Sequence, residues 1–188
     1  NQTKPQTIIN GNQNNNTYNN TMVFLNTECK NAINMTDFIQ NFEIGIEELD
    51  FIKNQGYAKT ISNLFIKTLN NYSMYERPIH CTDTKRLTMY VKENDTWEKG
   101  KHTITKAIEH VQAKAIKAIP GWETHYIPKM NKENLDDHYI TVVNKVTRTI
   151  DEKENNKKSI YENVCKKNSL NIDILCKNMQ SFLGSTVI

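Results

Sequence analysis

Several residue patterns that announce a chemistry are missing from this chain. Its four cysteines, Cys29, Cys81, Cys165 and Cys176, stand far apart with no C-x-x-C pair, so neither a zinc ribbon nor a disulfide framework is readable. We expect four free thiols in a reducing compartment. The six glycines form no phosphate-cradling loop, and no paired carboxylates or metal-ligand spacing appear, so we expect no catalytic residue, no metal and no cofactor. No apolar run reaches the eighteen or so residues of a membrane span, and no secretory signal is visible; a soluble chain with no membrane partner is expected. A strong basic excess is also lacking. With a net charge of +3, the chain has few groups to neutralise phosphates, and any nucleic-acid binding is expected to be weak and non-specific.

What is present is an Asn-rich, moderately apolar chain of 188 residues with mean hydropathy −0.68. That length suits one compact domain with an appendage. Asn-x-Ser/Thr sequons at Asn15, Asn19, Asn34, Asn71 and Asn94 read as by-products of the Asn content rather than as glycosylation sites. The chain opens on Asn1 rather than methionine, from which we expect a trimmed form with a further segment before it.

Residues 1–20, "NQTKPQTIINGNQNNNTYNN", form a polar low-complexity tract expected to be an extended linker or oligomerisation segment. "TMVFLN", Thr21 to Asn26, reads as a short strand because of its β-branched and aromatic content. Helical spacing follows in "MTDFIQNF", in Ile46 to Lys53 and in Tyr57 to Tyr72, with Gly56 between the last two. Pro78 ends this region. "IHCTD" then runs extended, "RLTMYVK" alternates Leu87, Met89 and Val91 against Arg86, Thr88 and Tyr90, and "ENDTWEK" supplies a turn and a return strand. Ile104, Ala107, Ile108, Val111, Ala115 and Ile119 mark an amphipathic helix expected to stop at Pro120-Gly121. Leu135 to Ile150 is a further helix, "DEKENNKK" a solvated charge run, and Tyr161 to Leu183 one or two last helices. The fold class is therefore α+β, mostly helical with a small antiparallel β-hairpin or sheet. We divide it into the tract at 1–20, an α+β core at 21–130 and a C-terminal helical part at 131–188.

The stretch from Arg77 to Gly100 concentrates the reactive residues. His80, Cys81 and Asp83 contain the parts of a nucleophile, base and orienter. In an extended strand, however, His80 and Cys81 point to opposite faces and cannot form a dyad with each other. We read Arg77, Pro78, His80, Asp83, Arg86 and Trp97 as structural: Cys81 faces the core, Asp83 caps a turn before Lys85-Arg86, and Trp97 packs on one face. Substituting His80 is expected to leave the fold nearly intact. His80, Cys81, His102, His110, His125 and His138 offer no spacing that pre-forms a metal site. Lys99, Lys101, Lys106, Lys114 and Lys117 bias the helix after the hairpin basic and are the candidates for nucleic-acid contact.

The runs "TMVFLNTECKNAINMTDFIQNFEI", "GYAKTISNLFIKTLNN" and "RPIHCTDTKRLTMYVKENDTWEK" resemble uncharacterised proteins of giant, mimivirus-like DNA viruses. In that group a similar region follows an Asn-rich linker, often with a zinc-finger-like segment before it. The likeness spans roughly Thr21 to Trp122 and is most specific in Arg77 to Arg86. It implies a viral protein placed in the host cytoplasm, at the viral factory, or in the virion. It brings no established activity and no catalytic residue, and the finger's cysteines and histidines are absent here.

Together these readings make the chain an assembly or interaction domain of a viral protein, with a nucleic-acid-associated domain as the alternative. The expected partner is the chain itself, as a trimer or other small closed oligomer. Contacts are expected through Ile8, Ile9, Tyr18, Val23 and Leu25, because an Asn-rich segment too polar to fold alone satisfies its backbone by pairing.

Overall fold

Three antiparallel strands and seven helices make up the described part of the chain. The structure is a computed structural model that describes residues 12–147 and 150–170, with side chains from 19–147 and 152–170. In chain order the helices are α1 (Asn12–Thr27), α2 (Met35–Gln40), α3 (Ile46–Gln55) and α4 (Tyr57–Leu69). The strands β1 (Ile79–Asp83), β2 (Thr88–Glu93) and β3 (Thr96–Lys99) come next, followed by α5 (Lys101–Tyr126), α6 (Lys132–Thr147) and α7 (Ile150–Lys167). The fold class is α+β, mostly helical with a small antiparallel sheet of order β1-β2-β3.

Local chemistry accounts for the boundaries. Gly56 separates α3 from α4 at φ 90°, a left-handed value that a side chain rarely adopts. Asn94 and Asp95, at φ 48° and 58°, make the two-residue turn between β2 and β3. Asp83 Oδ1 accepts the N–H groups of Lys85 and Arg86, both at 2.9 Å, and so fixes the turn between β1 and β2 as the sequence suggested. Gly100 joins β3 directly to α5, where a Cβ would run into the Val91 side chain.

The two faces of the sheet carry separate cores. Ile79, Cys81, Met89 and Val91 face inward and join one apolar cluster with residues of α2 to α7, from Met35 to Cys165. Leu135, Val142, Val146, Ile160 and Val164 belong to that same cluster. On the outer face Tyr90 and Trp97 are covered by Phe24, Leu25, Cys29 and Ala32 from α1 and the turn behind it.

Three expectations from sequence are corrected. Thr21 to Asn26 is the last part of a helix, not a strand, and the Asn-rich tract is helical from Asn12 onward. The buried set Thr21, Phe24, Leu25 and Cys29 has helical spacing, which the β-branched composition concealed. Next, α5 runs through Pro120 to Tyr126. The continuation buries Trp122 completely, and Asp50 accepts the Trp122 indole N–H at 2.8 Å and the Tyr126 hydroxyl at 2.6 Å. Those contacts offset the lost backbone bond, which leaves an exposed turn at Pro120. Last, Cys81 and Cys165 are joined as a disulfide with their Cα atoms 5.2 Å apart, so they are not free thiols. Cys29 is free and buried, and Cys176 lies outside the described residues. The charge run at 151–158 forms the first half of α7.

Candidate functional site

β1 is the element that brings chemistry together. Its alternation sends Cys81 inward to Cys165 and His80 outward beneath α1. His80 is fully buried, between the Phe24 ring at 6.4 Å and the Trp97 ring at 5.4 Å between centroids. Its Nε2 lies 3.5 Å from the Sγ of Cys29, a partner 51 residues away that no spacing rule connects to it. The Nδ1 atom of His80 and the indole Nε1 of Trp97 are buried without a hydrogen-bond partner.

Electrostatics make this pair inert as a nucleophile. Burial, aided by the Glu28 charge and opposed by Lys92, pushes the Cys29 thiol up to about 12. Burial, with the nearby Arg77 cation, pulls His80 down to about 3. Both groups are therefore neutral at pH 7, and a reactive cysteine requires a thiolate.

The remaining candidates make contacts within the chain. Arg77 donates Nε to the carbonyls of Leu69 at 3.0 Å and Tyr72 at 3.3 Å. Its guanidinium also reaches the Oδ1 of Asn168 at 3.2 Å and of Asn70 at 3.4 Å, which ties the end of α4 to the end of α7. Pro78 is buried, and its carbonyl accepts the Lys92 N–H at 2.9 Å. Arg86 is exposed and approaches Asp83 at 3.8 Å. Lys92 is buried and donates to the carbonyls of Lys30 at 2.6 Å and Ala32 at 2.8 Å. Sequence reasoning missed it because α1 covers the face that alternation assigns to water.

Of the five candidate lysines, Lys99, Lys101, Lys106 and Lys117 are exposed. Lys114 is withdrawn from that surface, since its ammonium donates to the carbonyls of Ile39, Gln40 and Phe42 at 2.9 Å each. Beside the exposed lysines, a groove of about 410 Å³ between α2, the β2–β3 turn and α5 is lined by Glu93, Glu98, His102, Lys106 and His110. Its carboxylates interrupt the positive charge. Among the described residues, no group of three or more His, Cys, Asp or Glu side chains converges as a metal cage.

Of the expected oligomer contacts, Ile8 and Ile9 lie outside the described residues, and Tyr18 falls in α1 with its side chain outside them. Val23 is 56% exposed. Leu25 is fully buried within the chain itself, because helical rather than extended backbone turns it onto the sheet beside Phe24. Among the described residues, no helix is long and apolar enough to cross a membrane.

No protein-family model matches the chain, and no curated protein and no solved structure matches it either.

Proposed function

We propose that this chain is a non-catalytic interaction domain of a giant-virus-like protein and that its first partner is another copy of itself. The observation that supports this reading is α1. Its sequence, "NQNNNTYNNTMVFLNT", is a poor helix former, and its buried apolar anchors Phe24 and Leu25 both lie near its C-terminal end. Val23 is left open on the same helix. A helix of this composition gains stability when a second polar-apolar surface covers it. A trimer or other small closed oligomer satisfies every copy equally. Sedimentation equilibrium on the intact chain between about 5 and 100 μM tests the reading. An oligomer that Val23→Asp weakens supports it; a monomer throughout that range overturns it.

A second reading rests on the exposed Lys101, Lys106 and Lys117 of α5. They favour weak contact with nucleic acid, diluted by Glu93 and Glu98, which line the same groove as Lys106. Nanomolar binding to a defined duplex at physiological salt would promote this reading over assembly. For location, the viral factory and the virion both follow from the resemblance, and the Cys81–Cys165 disulfide favours the virion, where thiols oxidise.

A further inference from the structure

α1 is attached to the body of the protein in an unusual way. Only its last two turns carry described apolar anchors, and these close over a face that holds two buried polar atoms with no partner, His80 Nδ1 and Trp97 Nε1. The segment behind α1 supplies both Cys29, against His80, and the carbonyls of Lys30 and Ala32 that hold Lys92. Opening α1 exposes His80, Tyr90 and Trp97 together, while the main cluster on the other face of the sheet keeps its own contacts.

We propose that α1 is an acid-released strap over the outer face of the sheet, with His80 as the group whose protonation opens it. The groups that face His80 are Cys29 from the segment after α1, Tyr90 and Lys92 from β2, Trp97 from β3 and Arg77 ahead of β1. Arg77 and Lys92 are cations; Asp95 lies 3.9 Å from the Lys92 ammonium, and the Glu28 charge is felt at Cys29, while the charge felt at His80 is that of Arg77. A protonated imidazole under α1 is therefore a buried charge beside the Arg77 cation, with an Nδ1–H that has no acceptor. Water solvates that charge and accepts that N–H once the strap lifts.

The sign follows from linkage. Under the strap His80 is held down to about 3, against an ordinary value of 6.5. Closure is thus fully favoured above pH 6.5 and weakens as pH falls toward 3, because the open form binds the proton more readily. Between pH 7.5 and pH 5 the closing equilibrium falls by about 30-fold. The proposal goes beyond self-assembly and does not depend on it.

Hydrogen exchange of the intact chain, corrected for the intrinsic rate at each pH, tests the strap. The expected result is a fall of about 30-fold in the protection of amides in Thr21–Thr27 between pH 7.5 and pH 5, while Ile104–Val111 of α5 stays protected. His80→Phe, or His80→Leu if the ring replacement does not fold, keeps α1 protected at pH 5. Unchanged α1 protection in the natural chain overturns the proposal. So does an equal loss in α1 and α5, which is global acid unfolding, or an equal loss in both His80 variants, which assigns the effect to another group. A change in oligomer size over the same pH range is read separately by sedimentation, so failure of the strap and failure of self-assembly are told apart.

Discussion

Lys114 donates its ammonium to the Ile39 carbonyl oxygen at 2.9 Å, across 75 residues of sequence. The carbonyls of Gln40 and Phe42 accept from the same nitrogen, so this lysine closes the C-terminal end of α2, where the helix leaves carbonyls without intrahelical partners. Lys114→Met is expected to destabilise by about 1 to 3 kcal/mol, whereas Lys117→Met on the exposed side of α5 stays within about 0.5 kcal/mol. Urea unfolding of the two variants makes the comparison. Equal effects would remove Lys114 from its capping role.

Trp97 fills the centre of the outer cluster, with 7% of its surface exposed. Trp97→Ala is expected to destabilise by about 3 to 5 kcal/mol, through lost burial and the cavity left under α1. A loss below about 1 kcal/mol would mean that α1 does not cover this face in solution.

Cys81 and Cys165 are paired and Cys29 is not. Peptide mapping without reduction should recover the link between β1 and α7 and leave Cys29 as a free thiol. Because burial holds that thiol up to about 12, its alkylation at pH 8 in the folded chain should be at least about 100-fold slower than in urea. A disulfide involving Cys29, or rapid labelling of it, would contradict the buried pair with His80.

The Tyr57 hydroxyl is buried without a hydrogen-bond partner, and burial raises its pKa above the ordinary phenol value. Removing an unpartnered hydroxyl is neutral or favourable, so Tyr57→Phe should leave stability unchanged or raise it by up to about 1 kcal/mol. A cavity of about 10 Å³ adjoins this residue. A loss of more than about 1 kcal/mol on thermal or urea unfolding would instead point to a bound water that satisfies the hydroxyl there.

Several elements were legible because their signals are local. The faces of α3 and α4, the break at Gly56 and the turn capped by Asp83 follow from spacing and backbone preference within a few residues. The opposite orientations of His80 and Cys81 follow from strand geometry alone. Three features were not legible. The α1 segment was misread because Val23 and Thr21 favour a strand when taken by composition. The course of α5 through Pro120 depends on Asp50, which lies 72 residues from Trp122. The role of Lys114 depends on the carbonyls of a helix that no pattern in its own neighbourhood predicts.

By itself the sequence determined the helical majority and the antiparallel strands of the Arg77 to Gly100 stretch, because periodicity and turn chemistry act over a few residues. Tertiary structure alone decided that the sheet is covered on both faces. Once α1 lies across Tyr90 and Trp97, a face that alternation assigns to water becomes a second core. His80 then loses its solvent, Lys92 must find carbonyls, and Cys29 meets an imidazole 51 residues away. Those outcomes depend on which surfaces meet, and desolvation at a meeting of surfaces is written in no single segment of the chain.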